Sequence, residues 1–221
     1  MTGAPDLAIP VVGWRLWLLD ADDDGPALTA PRAMTPWPAR VATTAACRAG
    51  CGRPPSWGCR CGLYATAQLD HLLTDVVTAG AVLGATALWG RVVEATEGWR
   101  AERGYPLVLF APTVDRRDRG EVLHVALPRL TPGRDDDQAS PATPDEGALR
   151  ALARRYAIPV HTVPSLPPYH APTMAGPAAT LRDEAARGLA ARRLGDGAAR
   201  LRFDRAVEGL LAVLDQRRST A

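Results

Sequence analysis

All four cysteines of this 221-residue chain lie in one loop, residues 47–62, and no other sequence feature constrains the fold as strongly. They follow the pattern C-x3-C-x7-C-x-C and comprise Cys47, Cys51, Cys59 and Cys61. Glycines beside them allow the backbone to turn around a centre, and Pro54-Pro55 stiffens the span between the two pairs. In a reducing compartment, such a group is typical of metal binding or redox chemistry and not of a structural disulfide framework.

Four thiolates around one divalent ion would form a tetrahedral zinc site with a net charge of about −2. Arg48, Arg53 and Arg60 are spaced along the loop so that they would offset this charge. A closed four-cysteine site leaves no position for water or substrate, so zinc would fold the loop and catalyse nothing. The sequence therefore predicts Zn²⁺ at the four cysteines. Because the spacing is not a repeated C-x2-C pair, an iron–sulfur cluster and redox dithiols remain alternatives.

Composition and motifs exclude several classes of function. The apolar fraction of 47% and the charged fraction of 23% are those of an ordinary globular protein. A formal net charge of +2 argues against a strongly cationic protein that coats nucleic acid, so any basic surface must be local. The chain has no Lys and hence no P-loop, and its Asp22-Asp23-Asp24 and Asp135-Asp136-Asp137 runs lack the spacing of a calcium loop.

The sequence also predicts where the protein resides. Residues 1–10 contain an acidic residue, no basic residue and no long apolar stretch, which argues against a secretory signal. The longest uncharged run, residues 76–90, is too short and too polar to span a bilayer. We therefore expect a cytoplasmic protein that does not enter the membrane.

Apolar periodicity predicts an α+β fold with a small mixed or antiparallel sheet, a packed helix and a C-terminal helical hairpin. In the strand predicted at residues 11–19, the face with Trp14, Leu16 and Leu18 is the expected core face, while Arg15 shares the other face with Trp17. A helix is predicted over residues 64–77, from Leu69, Leu72, Leu73, Val76 and Val77. Further strands are predicted at 82–95, 106–110 and 121–127.

The chain is predicted to divide into a body and a helical tail. The predicted units are the body (10–130), a linker (131–147), a helix and edge strand associated with the body (148–163), a proline-rich connector (164–177) and the hairpin (178–217). The last helix carries an apolar stripe of Leu201, Val207, Leu210, Leu211 and Leu214, which must dock on the body or on another copy. We expect the tail to be dispensable for folding and to mediate contact with a protein partner or a second copy.

Arginines that neighbour tryptophans form a second candidate site. Arg15, Arg91 and Arg100 lie beside Trp14, Trp89 and Trp99, and such pairs hold anions or nucleotide bases in some proteins. Alternation along a strand also produces them, with Trp in the core and Arg outside. Arg100 is the first choice for partner or anion binding because it follows the Glu97-Gly98 turn.

Several segments together resemble a group of uncharacterised actinobacterial proteins. The segments are Cys59-Arg60-Cys61-Gly62-Leu63-Tyr64-Ala65, Leu88-Trp89-Gly90-Arg91-Val92-Val93-Glu94, Gly98-Trp99-Arg100-Ala101-Glu102 and Tyr105-Pro106. They match a C-x-C-G-[IL]-Y-A loop followed by W-G-x-V and G-[YW]-R-A elements. The resemblance covers residues 14–110 and implies a shared metal-loop and sheet module without indicating an activity.

Two functions fit the sequence. The first is a non-catalytic binding or assembly module stapled by zinc, which presents a surface to a protein or, less favoured, to nucleic acid. The second is a cysteine-based redox or iron–sulfur protein. Whether the chain is an enzyme stays open, since no residues with the spacing of a catalytic set stand out.

Overall fold

The computed structural model describes residues 6–31, 33–73, 81–112, 146–163, 172–192 and 197–215. Within these ranges the fold is α+β, as predicted. The strands are β1 (Asp6–Asp22), β2 (Gly25–Ala30), β3 (Thr35–Trp37), β4 (Thr43–Thr44), β5 (Leu63–Thr66), β6 (Ala81–Ala95), β7 (Gly98–Pro112) and β8 (Val160–Val163). The helices are α1 (Leu69–Leu73), α2 (Glu146–Tyr156), α3 (Pro172–Arg192) and α4 (Gly197–Asp215). The predicted strand 121–127 and most of the predicted linker lie outside the described residues.

The eight strands form one sheet built around the long β6–β7 hairpin. β1 pairs antiparallel with β6, and β2 and β3 extend the sheet beyond β1. On the free edge of β7 lie three short strands in succession, namely β5, β4 and the parallel strand β8. β5 also pairs with β1 through Trp14 and Thr66, so the sheet curls until β5 joins its two sides.

Both faces of the sheet are covered, which corrects the one-sided prediction for β1. Trp14 is buried on one face against α3 and α4, as expected. Trp17, predicted to lie on the less buried face, is also fully buried, packed edge-on against Trp37 at 5.2 Å between ring centroids. Strand alternation assigns side chains to two faces, but it does not show that β3 and α2 cover the second one.

The helix α2 is attached to β2 and β3 by its last residue. The buried side chains of α2 are those of Leu149, Leu152 and Tyr156. The Tyr156 hydroxyl donates to the Trp37 carbonyl at 2.6 Å and accepts a hydrogen bond from the Leu28 amide at 3.0 Å. This buried pair of bonds fixes the strands that carry the chain toward the cysteine loop.

The C-terminal helices complete the core, so their apolar stripe docks on the body of the same chain, which is one of the two alternatives that the sequence left open. Leu210 and Leu214 of α4, together with Leu181 of α3, pack in one cluster with Trp14 and Phe110 of the sheet. Leu201, the first residue of the predicted stripe, is instead 62% exposed. Among the described residues, no helix has the length and apolar character needed to cross a membrane.

Two predicted boundaries also change. Residues 64–66, predicted as the start of a helix, belong to β5 because their backbone pairs with β7, and α1 begins only at Leu69. The last six residues of the predicted connector, 172–177, form the first turns of α3. Apolar periodicity started the first helix too early and the third helix too late. Strand pairing and helix packing determine these boundaries, and neither is visible in a local pattern.

Replacing Gly84 with Ala should destabilise the sheet strongly. A Cβ at this position would lie 2.4 Å from the Val108 carbonyl oxygen and 2.8 Å from the Leu109 side chain. Because the first neighbour is backbone of the paired strand, β6 and β7 would have to separate, and overpacking of this kind costs about 1–3 kcal/mol or more. Urea denaturation of the variant measures the loss, and Gly209→Ala on α4, where a Cβ meets no atom within 4 Å, is the control.

Candidate metal centre

Both ends of the cysteine loop are attached to the same strand. Before the loop, β4 pairs with Arg103 and Gly104 of β7, and the Ala45 amide donates to the Glu102 carbonyl at 2.7 Å. After the loop, β5 pairs with residues 98–101 of the same strand. The intervening segment therefore leaves β7 and returns to it a few residues away. This arrangement brings Cys47, near the first end, close to Cys61 at the second.

Tight turns within the loop bring the other two cysteines inward. The Gly50 amide donates to the Cys47 carbonyl, and the Cys59 amide donates to the Ser56 carbonyl, each at 3.2 Å. Gly50 and Gly52 adopt positive φ angles of 69° and 77°, conformations that other residues adopt only with strain. The glycines of the loop thus perform the turning role predicted from the sequence.

The four sulfurs form one compact cluster. Their Sγ atoms all lie within 4.8 Å of one another. The Sγ atoms of Cys47 and Cys59 are 3.6 Å apart, and those of Cys51 and Cys61 are 3.3 Å apart. Tetrahedral coordination with metal–sulfur bonds of about 2.3 Å separates neighbouring sulfurs by about 3.8 Å. The cluster therefore has the size needed to hold a single metal ion, and all four cysteines are free thiols.

The pKa values of Cys47 and Cys51 are shifted in opposite directions. The Cys51 amide donates to Cys47 Sγ at 3.5 Å, and this bond, aided by the Cys51 thiol, lowers the pKa of Cys47 to about 6. The neighbouring thiols of Cys61 and Cys47 raise the pKa of Cys51 to about 12. One thiolate thus forms readily, but further ionisation places like charges side by side. A bound cation is the physical means of stabilising four thiolates at this separation.

Arg100 of β7 donates hydrogen bonds to the backbone of the cysteine loop. Its Nη1 donates to the carbonyl of Cys59, to that of Cys61 at 3.1 Å and to that of Ser56 at 3.5 Å. The guanidinium is therefore directed at the backbone on either side of Arg60, and it places positive charge next to the sulfur cluster. The anion-binding role predicted for Arg100 stays a prediction, while the contact that the structure assigns to it is with the cysteine loop.

Two more arginines make contacts of the same kind. Arg91 donates to the Pro54 carbonyl at 2.9 Å and forms an ion pair with Glu102 at 3.3 Å. Arg15 donates to the Tyr64 carbonyl at 2.5 Å, and its guanidinium lies 4.8 Å from the centroid of the Trp37 ring. Burial lowers the pKa of Arg15 to about 10. All three candidate arginines thus bind carbonyls of the cysteine loop or of β5 directly after it.

Sequence reasoning missed this second use of arginine. Arg48, Arg53 and Arg60, which were expected to offset the charge of the metal site, are exposed, and Arg48 donates to the Ala33 carbonyl at 3.0 Å. The arginines that reach the loop backbone come instead from β6 and β7, and Arg15 of β1 binds the strand directly after the loop. Their signal in the sequence is limited to the Trp-Arg pairs, which do not indicate a carbonyl partner.

Replacing Arg100 with Leu should weaken the loop without removing a cysteine. Three backbone carbonyls would lose their charged donor, and hydrogen bonds to charged groups contribute about 1.5–3 kcal/mol. We expect lower metal affinity in competition with a chelator and a free energy of unfolding reduced by about that amount. Arg103→Leu, an exposed arginine of the same strand, is the matched control. Equal metal affinity in Arg100→Leu and the unmodified protein would contradict the positioning role.

Comparison of the chain with protein-family models, with curated proteins and with solved structures finds no match.

Proposed function

We propose that this protein is a non-catalytic binding module of the cytoplasm whose cysteine loop is folded by a structural zinc ion. The observation that carries the proposal is the convergence of Cys47, Cys51, Cys59 and Cys61 within 4.8 Å. Four cysteine ligands saturate a tetrahedral ion, so the site would serve structure and leave no position for a substrate. In a reducing compartment the four thiols stay available to the metal.

Zinc is favoured over an iron–sulfur cluster by the spacing of the sulfurs. A cluster spreads its four cysteines over two or more irons, whereas four Sγ atoms that all lie within 4.8 Å of one another suit the ligands of one ion. Thiolate sulfur is a ligand that suits zinc. The arginines bound to carbonyls around the loop offset the net negative charge that four thiolates give to a zinc site. A redox dithiol needs only two cysteines, so the convergence of all four does not favour that alternative.

A module of this kind needs a surface for its partner. The C-terminal helices were expected to supply it, but their apolar stripe lies in the core of the same chain. The cysteine loop, in contrast, is held at the edge of the sheet by β7 and carries exposed side chains. We therefore place the binding role on the loop rather than on the helices.

Cobalt substitution tests the coordination proposed here. Metal-free reduced protein titrated with Co²⁺ should develop the visible absorption of a tetrahedral thiolate site and saturate at one ion per chain. Zinc should then bleach the colour, because it binds such a site more tightly than cobalt does. A titration that needs two chains per ion, or a spectrum without sulfur-to-metal charge transfer, would contradict a closed four-cysteine site. Ser56→Ala, in the same loop, should behave as the unmodified protein.

A further inference from the structure

The cysteine loop and the start of β5 carry both exposed aromatic rings and exposed arginines. Trp57 is 55% exposed and Tyr64 is 48% exposed, although large aromatic side chains usually lie in a core. Exposed arginines surround them in the chain at positions 48, 53 and 60. We call Arg48, Arg53, Trp57, Arg60 and Tyr64 the loop-tip surface.

The charge of this region has one sign. Between Asp24 and Asp70 the sequence contains five arginines and neither an aspartate nor a glutamate. On the neighbouring hairpin, Glu94 lies near the end of β6 and Glu97 in the β6–β7 turn, while Glu102 is paired with Arg91. Although the whole chain carries a formal charge of only +2, the loop-tip surface is therefore a local basic patch.

Hydrogen bonds fix Tyr64 at both ends and fix the backbone next to Trp57. The Tyr64 hydroxyl donates to the Arg60 carbonyl, while Arg15 donates to the Tyr64 carbonyl, so both ends of this residue are fixed. Trp57 follows Ser56, whose carbonyl accepts hydrogen bonds from the Cys59 amide and from Arg100. A ring fixed before binding loses little conformational entropy when a ligand stacks on it.

We propose that the loop-tip surface binds single-stranded nucleic acid without sequence preference. Bases would stack on Trp57 and Tyr64, and phosphates would pair with the guanidinium groups of Arg48, Arg53 and Arg60. Charge complementarity alone would also suit an acidic polypeptide. The two exposed rings favour the nucleic acid, because unpaired bases offer flat faces for stacking and carboxylates do not. The inference deepens the proposed function and rests on it, since the metal shapes the loop.

Fluorescence anisotropy of labelled dT and rU strands of about 20 nucleotides, with zinc-loaded full-length protein at low salt, tests the inference. Trp57→Leu, which keeps an apolar side chain but removes the ring, should weaken binding about fivefold to 100-fold. Arg53→Ala should reduce the slope of log affinity against log salt by about 0.7. Arg205→Ala, an exposed arginine of α4, should change neither quantity.

The outcomes separate the inference from the proposed function. The inference is overturned if zinc-loaded protein binds neither strand, or if Trp57→Leu binds them as tightly as the unmodified protein does. Either result leaves the proposed zinc module unaffected. Polyglutamate of similar length that binds as tightly as dT, and independently of Trp57, also overturns it in favour of an acidic partner. Protein that holds no metal when purified overturns both.

Discussion

Cys59→Ser protein is expected to lose its metal and the order of its cysteine loop. Serine oxygen is a poor replacement for thiolate at a soft site, and three sulfurs leave the tetrahedron open. Apparent binding free energies of structural zinc sites are about 10–16 kcal/mol, which is large beside the few apolar contacts of this segment. Pro55 is the one buried residue between Cys47 and Cys61, so packing alone cannot replace the ion.

Limited proteolysis reports the order of the loop in this variant. Trypsin should cut after Arg48 and Arg60 in Cys59→Ser and leave both bonds intact in the zinc-loaded protein. Ser56→Ala is the control, because Ser56 contacts its neighbours through its backbone carbonyl. If Cys59→Ser retains one zinc ion per chain and resists trypsin equally, Cys59 is not a ligand.

Ending the chain at residue 171 is expected to prevent folding, in contrast to the expectation drawn from the sequence. The truncation removes α3 and α4 and with them the fully buried Leu181 and Leu210. It also uncovers Trp14 and Phe110 on the sheet face. Burial of each large apolar side chain contributes about 1.5–3 kcal/mol, so these four together contribute about 6–12 kcal/mol, which is comparable to the 5–15 kcal/mol that stabilises a typical domain. Expression of the truncated chain should yield aggregated protein.

A point variant measures the same contact in a protein that still folds. Leu210→Ala should lower the free energy of unfolding by about 2–5 kcal/mol, because it leaves a cavity between α4 and the sheet. Leu201→Ala, at a position 62% exposed on the same helix, should change it little. A soluble, monodisperse truncation together with a neutral Leu210→Ala would show that the hairpin is separate from the core.

The fold was predictable where a pattern is local. Apolar residues three and four positions apart are typical of a helix that packs along one side, and the spacing of Val207, Leu210 and Leu214 correctly indicated α4. Periodicity marks an apolar face but not the surface that covers it, so the docking of that helix on Trp14 required the structure. For the same reason Trp17 was assigned to the less buried face.

In the candidate site, too, the local part was predictable and the long-range contacts were not. Clustering of four cysteines beside glycines was enough to predict their convergence, because four thiolates can share one ion and the glycines allow the chain to turn around it. The arginines that bind the loop lie on strands 30 to 50 residues away in sequence, as the contacts of Arg91 and Arg100 show. Such contacts follow from strand pairing on β7, which no local pattern records.

Elemental analysis of protein purified without added metal tests whether the four cysteines hold a zinc ion. The sample should be colourless and contain one zinc ion per chain, and Cys59→Ser prepared in parallel should contain far less. Iron with absorption in the visible range, or metal-free protein in which the four cysteines are joined as disulfides, would contradict the proposed zinc module.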